Sequence, residues 1–327
     1  MKLKIKPFKG QHCETTATGT LLNQIGIQLS EPMLFGLGEG LGFIFWNMKT
    51  FDFPFIGGRV KPDELTQNIT RNLGLELKSV ETSSRKKAWK NVSEMIDGGI
   101  PVGLKLDCFH LEYFSQPINF AGHYVAMYGY DDEYAYLIDT VQQGSGVKTS
   151  LKSLANARAE KGPMSSRSLS YTIAAGDKKL DLKSAVVQAA SANATTYLAP
   201  PISNLYFRGI EKTAKEVVKW FENSKDIPGE FCMSAMLMEK AGTGGALFRN
   251  LYRDFLKESF ALTKRPEFKQ GFEDFKRIAK DWSKIARLFK EIAETQDRKY
   301  VDEAARLFRK LSVSEFEAVE KLAKIPV

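Results

Sequence analysis

The chain is poor in the residue types that build disulfide frameworks and metal sites. Its 327 residues include only three cysteines and three histidines. An odd number of widely spaced cysteines does not suggest a disulfide framework, and free thiols fit a reducing compartment. Long apolar runs are also missing, because the longest, over 41–48, is far shorter than the roughly 20 residues of a transmembrane helix. We therefore expect no membrane partner.

A signal-peptide pattern is absent as well. Lysine alternates with apolar residues over 1–6, and no apolar region of the kind found in signal peptides follows. Together with the free thiols, this pattern predicts a cytoplasmic protein.

The excess of positive charge is confined to the second half of the chain. Residues 1–150 contain 15 Lys and Arg against 16 Asp and Glu, whereas residues 151–327 contain 32 against 23. This distribution favours an acidic partner, such as an acidic carrier protein with its phosphopantetheine phosphate; a solvated helical surface is the alternative. Nucleic-acid binding needs basic residues interleaved with exposed aromatics. The basic runs are short, as at 85–87, so we expect no nucleic acid partner.

Strand-like and helix-like patterns occupy different parts of the chain. Alternating or short apolar segments predict strands in the first half, whereas apolar residues at helical spacing dominate the second. The pattern predicts an α+β chain with one domain over 1–175 and an all-helical domain over 176–327. Strands are predicted at 2–8, 41–48, 100–106, 123–130, 134–138 and 168–173. The last two helices are predicted at 302–311 and 314–324, with a capping-box pattern at 312–317.

Cys13 has the position of an activated cysteine. A helix is predicted over 13–28, and the dipole and unpaired N–H groups at a helix N-terminus stabilise the thiolate, which is the reactive form. An inert buried thiol is the alternative.

His123 and Asp139 are predicted to lie side by side on a hairpin. The strand patterns at 123–130 and 134–138 are joined by a polar turn, so the start of the first strand lies opposite the end of the second. Neighbouring strands are about 4.8 Å apart, which allows a hydrogen bond between the imidazole and the carboxylate. Such a carboxylate would fix the tautomer of the ring and support its charged form. A cross-strand surface pair is the alternative.

The order of these residues along the chain is that of papain-like enzymes. The cysteine comes on an early helix, and the histidine and the aspartate come on a later hairpin. We therefore predict a triad of Cys13, His123 and Asp139 that carries an acyl group on the cysteine sulfur.

The segment from Glu31 through the glycines of 36–42 has two interpretations. Gly38 and Gly40 could line a substrate channel, with the Glu31 carboxylate near an incoming amine, or the segment could be a tight loop that leads into a buried strand. The glycine spacing does not match a dinucleotide-binding fingerprint. We predict substrate-binding roles for Glu31, Gly38 and Gly40.

A zinc site is the other chemistry that the cysteines and histidines could support. His12, Cys13, Cys108 and His110 are of the types that bind Zn²⁺, but neither pair has zinc-finger spacing, so we predict no metal. Cys108 and Cys232 are then interpreted as buried thiols. His12 is either a hydrogen-bond donor behind the nucleophile or a wall of its pocket.

Several segments resemble known families. The segments 10–15 (GQHCET) and 29–43 (LSEPMLFGLGEGLGF) resemble the N-terminal domain of the butirosin-biosynthesis BtrH family. The stretch from Gly122-His123-Tyr124-Val125 to Asp139 resembles the histidine and aspartate region of C39-type papain-like proteins. The segment 242–256 (GTGGALFRNLYRDFL) is similar to the helical domain that accompanies BtrH-type N-termini.

This resemblance implies a papain-like (C39-like) fold followed by a helical domain. It also implies an acyltransferase or amide synthase of natural-product biosynthesis, which moves an acyl group from a carrier-protein thioester to an amine. Cys13 would be acylated, His123 would act as base and acid, and Asp139 would orient His123. The phosphopantetheine belongs to the carrier protein, so no cofactor of the chain's own is expected.

The oxyanion hole departs from the papain pattern. Papain-type proteases have a glutamine several residues before the cysteine, whereas Gln11 is only two residues away. We predict that Gln11 and His12 flank the oxyanion, with the Cys13 backbone N–H as the alternative donor. A C39-like cysteine peptidase that cleaves a peptide or leader is the alternative function, because it forms the same acyl-enzyme with water as the acceptor.

Overall fold

The computed structural model describes residues 1–48, 51–115, 119–162, 165–177 and 180–326. They divide into two units: Met1–Leu34 with Pro62–Leu180, and Phe35–Lys61 with Asp181–Val327. The predicted α+β class is confirmed, since a six-stranded sheet lies in the first unit and six long helices lie in the second. The predicted domains at 1–175 and 176–327 stay a prediction; the structure groups 35–61 with the helical unit.

The strands and helices have the following bounds. The strands are β1 (Leu41–Trp46), β2 (Phe55–Arg59), β3 (Glu76–Val80), β4 (Val102–Leu106), β5 (His123–Tyr130), β6 (Tyr134–Ile138), β7 (Gly146–Ser150) and β8 (Ser170–Ala174). The helices are α1 (Cys13–Gln24), α2 (Glu31–Leu37), α3 (Glu64–Leu73), α4 (Arg85–Asp97), α5 (Leu151–Ala159), α6 (Leu182–Leu198), α7 (Tyr206–Asn223), α8 (Ile227–Lys240), α9 (Arg249–Thr263), α10 (Pro266–Thr295) and α11 (Arg298–Ala323).

The sheet of the first unit is antiparallel, in the order β3-β8-β4-β5-β6-β7. The hairpin of β5 and β6 has the predicted bounds, and its turn forms because the Asp131 carboxylate accepts hydrogen bonds from the backbone of Glu133 and Tyr134, as Asp side chains do in turns. This closed turn fixes which residues of the two strands face each other.

Helices pack on the sheet and hold its central strands. Apolar side chains of α4 and α5 share a core with those of β4, β5 and β6, and α1 packs across β4 and β5. The core includes Val92, Ile96, Leu104, Leu106, Val125, Met127, Leu137 and Leu154. As a result, the first residues of α1 and β5 belong to a fixed framework rather than to free loops.

Two predictions of secondary structure are wrong. The alternation over 2–8 forms only an isolated bridge between Lys2 and Gly129. The helices predicted at 302–311 and 314–324 are one helix, α11, because the Ser312 hydroxyl donates to the Phe207 carbonyl (2.7 Å) instead of capping a new helix. Among the described residues, every helix is too short or too polar to cross a lipid bilayer.

A buried ion pair joins the elements of the helical unit. The Arg249 guanidinium donates to both Glu315 oxygens (Nε–Oε1 2.8 Å, Nη2–Oε2 2.9 Å) and to the Gly58 carbonyl (3.0 Å). The Glu315 carboxylate also accepts from Trp282 and Tyr197. Neither charged side chain is exposed, so each charge depends on the other for its stabilisation.

We expect Glu315→Gln to lower the free energy of unfolding by about 3–5 kcal/mol, because it leaves the buried Arg249 charge without its counter-ion. Urea denaturation followed by circular dichroism would measure this loss. Lys310→Ala is the matched control on the same helix, since it breaks only a solvent-exposed pair with Asp281 and should cost about 0–1 kcal/mol. Equal effects of the two changes would contradict the expectation.

Candidate functional site

Cys13 is the first residue of α1 and is 9% exposed. The helix begins here because His12 has extended backbone geometry and its Nδ1 accepts the Thr15 N–H (3.4 Å), which is the role of an N-cap residue. His12 therefore serves as the cap of α1, a contact that the sequence analysis did not identify. The predicted roles of His12 and Gln11 at the oxyanion stay predictions.

Glu31 holds the loop that precedes Cys13. Its carboxylate accepts hydrogen bonds from the backbone N–H groups of Gln11 (2.9 Å) and His12 (2.8 Å) and from the Thr15 hydroxyl (2.9 Å). A Cβ at Gly10 would lie 2.9 Å from a Glu31 oxygen, so the loop can approach this closely only with glycine there. These contacts give Glu31 a positioning role, and its predicted substrate contact stays a prediction.

His123 and Asp139 form the predicted hydrogen bond across the hairpin. The His123 Nε2 lies 2.8 Å from the Asp139 Oδ2. Ala126 pairs with Ile138. If this pairing is extended by one residue, Asp139 faces the residue of β5 that is two positions from His123. The prediction that these two residues meet is thus confirmed.

Asp139 is fully buried and has three donors. In addition to His123, the Tyr113 hydroxyl donates to Oδ2 (2.8 Å) and the Thr140 N–H donates to Oδ1 (2.6 Å). Tyr113 was missed by the sequence analysis, because nothing near it in the sequence indicates a contact 26 residues away. The carboxylate is therefore held in one orientation behind the imidazole.

The charges and hydrogen bonds around His123 favour the charged form of its imidazole. Burial alone would lower the pKa of His123, but the charges of Asp139 and Cys108 and hydrogen bonds with both raise it well above its ordinary value. Asp139 contacts Nε2 of this ring, so Nδ1 lies on the side of the ring away from the carboxylate.

Cys108 is a second thiol at this imidazole. It follows β4, whose Leu106 pairs with His123, and its N–H donates to the Phe120 carbonyl (3.2 Å). Burial raises the pKa of Cys108, while the charge of His123 and a hydrogen bond with its ring lower it by less, and Cys13 adds a smaller increase. Cys108 is buried as predicted, but its contact with His123 was not foreseen; Cys232, predicted to be buried, is exposed.

The remaining candidates make contacts of their own. His110 lies beside Glu160 (Nε2–Oε2 2.6 Å), and no group of three or more potential metal ligands occurs in the described part of the chain. Gly38 and Gly40 follow α2 in a turn that is buried in the helical unit. A Cβ at Gly40 would lie 2.6 Å from the Phe35 ring, which explains this glycine by packing, and the predicted substrate contacts of both glycines stay predictions.

We expect Asp139→Asn to lower the pKa of His123, because the largest influence that raises it is lost while burial remains. A raised pKa in the folded state stabilises the protein below the unfolded-state pKa of about 6.5, and this contribution fades as the pH rises through the folded-state pKa. The stability difference between wild type and variant should therefore be largest at acidic pH.

Histidine ring signals in NMR spectra would measure this change, since the chain has only three histidines. His110 provides the internal control, because its partner is Glu160. An unchanged His123 titration in Asp139→Asn would show that the carboxylate does not support the imidazolium.

Two family models cover most of the chain. The model described as butirosin biosynthesis protein H, N-terminal, matches residues 12–140, and the domain of unknown function DUF4872 matches residues 152–322. No curated protein matches the chain. Among solved structures, it is similar to a Bacillus anthracis protein described as a C39-like peptidase, with 19% identity over 55% of this chain and 100% of the other, at a TM-score of 0.37. The chain belongs to the family that joins a BtrH-type N-terminal domain to a helical DUF4872 domain.

Proposed function

We propose that the protein is a cysteine-dependent acyltransferase that forms amides, with Cys13 as nucleophile, His123 as base and acid, and Asp139 as the residue that orients His123. The observation that carries this proposal is the buried 2.8 Å contact between His123 and Asp139 in the unit where Cys13 begins α1. A helix N-terminus and an imidazolium both favour a thiolate.

The reaction has two steps in this proposal. The Cys13 thiolate attacks the carbonyl carbon of an acyl thioester, forming a new S–C bond, and the carrier thiol leaves with a proton from the His123 imidazolium. An amine then attacks the acyl-cysteine, His123 accepts the amine proton, and the Cys13 thiolate is released as the amide forms. The Cys13 backbone N–H, near the start of α1, is a suitable donor to the oxyanion of each tetrahedral intermediate.

Transfer to an amine is favoured over hydrolysis by the family. The matching N-terminal model is named for a protein of butirosin biosynthesis, and a biosynthetic enzyme builds bonds that a peptidase would break. The excess of positive charge over 151–327 supports an acidic carrier protein as the acyl donor. In this proposal the first half of the chain carries out the chemistry, and the second half binds the carrier protein that donates the acyl group.

The first test identifies the nucleophile. Acyl thioesters of N-acetylcysteamine would serve as donor surrogates, and intact mass with peptide mapping should find one acyl group on Cys13. We expect Cys13→Ala to abolish this mass gain, whereas Cys108→Ser should retain it and serves as the matched control at the same imidazole. His123→Ala should slow acylation by about 10²–10⁴-fold. An acyl group on Cys108 in the wild type would assign the nucleophile to the other thiol.

The second test separates transfer from hydrolysis. With a panel of primary amines, the acylated protein should release amide at a rate that increases with amine concentration, and it should persist when amine is absent. Liquid chromatography with mass detection would quantify amide and free acid. Release of free acid at a rate that amines do not change would favour the peptidase-like alternative.

A further inference from the structure

The outer face of α11 carries apolar side chains that the fold leaves exposed. Val313 is 58% exposed and Phe316 is 37% exposed, in contrast to the buried apolar residues on the opposite side of the helix. The Phe316 ring lies edge-on against Phe207 of α7, with ring centroids 5.0 Å apart. Exposed large apolar side chains that lie together are typical of a protein contact surface.

Charged side chains lie on both sides of this apolar centre, and the two sides have opposite signs. Arg306 and Arg309 precede Val313 by seven and four residues, whereas Glu317 and Glu320 follow it by four and seven. Residues at these spacings share one face of a helix, and all five are exposed. We call these five residues the α11 stripe.

The charges of the α11 stripe are largely unused within the chain. Among the described residues, Arg306, Arg309 and Glu317 have no ion pair or hydrogen bond through their side chains. Glu320 has an ion pair with Lys324 (3.4 Å), and a solvent-exposed pair of this kind contributes little to stability. These side chains are therefore available to a partner.

The pattern of the α11 stripe is complementary to itself. When two copies of a helix pack antiparallel about a two-fold axis at Val313, each residue faces the residue that is equally far from Val313 on its other side. The arginines of one copy then lie beside the glutamates of the other, and this arrangement occurs twice. Further out, Asp302 and Lys324 are each 11 residues from Val313 and are also opposite in charge. Such self-complementarity is what a two-fold interface requires.

We propose that the α11 stripe is the interface of a homodimer, in which the α11 helices of two copies pack antiparallel with both Val313 side chains at the axis. The charges fix the direction, because a parallel arrangement would place arginine against arginine and glutamate against glutamate. The stripe contains as many positive as negative residues, so an acidic carrier protein is not its best-matched partner. The dimer does not depend on the acyl chemistry proposed for Cys13.

Analytical ultracentrifugation of the full-length protein tests this interface. A single helix face is a small interface and small interfaces are usually weak, so the concentration series should extend to about 500 μM. We expect the sedimenting mass to rise from one chain to two. Val313→Glu places two carboxylates opposite each other at the axis and should keep the protein monomeric. A wild type that stays monomeric over the whole range would overturn the proposal, and the stripe would then belong to a partner of another kind.

An exchange of charge between two variants tests the pairing itself. Arg306→Glu with Arg309→Glu makes the charges of the stripe entirely acidic, and Glu317→Arg with Glu320→Arg makes them entirely basic. Each variant alone should dimerise at least roughly 100-fold more weakly than the wild type, because like charges then face each other. An equimolar mixture of the two variants should form dimers again, since the charges that face each other across the axis are then opposite.

The matched control is Lys86→Glu with Lys87→Glu, which makes the same change in net charge as the acidic variant on exposed residues of α4. It should dimerise as the wild type does. All substituted side chains are exposed, so circular dichroism should show the same helix content in every variant. A mixture of folded variants that stays monomeric, or single variants that dimerise like the wild type, would contradict the antiparallel pairing of α11.

Discussion

A carboxylate without solvent exposure organises the candidate site. Asp139 must be ionised to support an imidazolium, and a buried ionised carboxylate is stable only when donors surround it. Its three donors come from the start of β5, from the segment after β4 and from its own chain neighbour. The positions of His123 and Tyr113 around this carboxylate therefore answer one requirement.

The parts of this site that are close in sequence could be predicted, and the parts that are distant could not. The His123–Asp139 contact follows from a short turn and the two-residue period of strands, so it depends only on 123–139. Cys108 and Tyr113 reach the same group through the pairing of β4 with β5, and no local pattern encodes that pairing. Cys108 consequently lies at the imidazole of His123, although the sequence analysis assigned a role to Cys13 alone.

Local signals also failed where tertiary contacts outweighed them. The capping-box pattern at 312–317 predicted a helix start, but Ser312 bonds to Phe207 and Glu315 pairs with Arg249, so α11 continues through it. The strands β2, β3 and β7 were missed because their sequences show little apolar alternation. The Arg249–Gly58 contact joins residues 191 positions apart, which explains why 35–61 could not be assigned to the helical unit from sequence.

The grouping of residues 35–61 with the helical unit has a consequence for synthesis on the ribosome. The strand pair β1–β2 leaves the exit tunnel long before α6 and α7, which later pack on it. Until then Phe43 and Phe45, each only 1% exposed in the finished fold, have no helices to cover them. Domains usually fold as they emerge, in order from the N-terminus; the first unit is complete once residue 180 has emerged, but residues 35–61 of the second unit must wait for helices that follow residue 180. The nascent chain must keep an apolar hairpin in solution while the rest of the protein is translated.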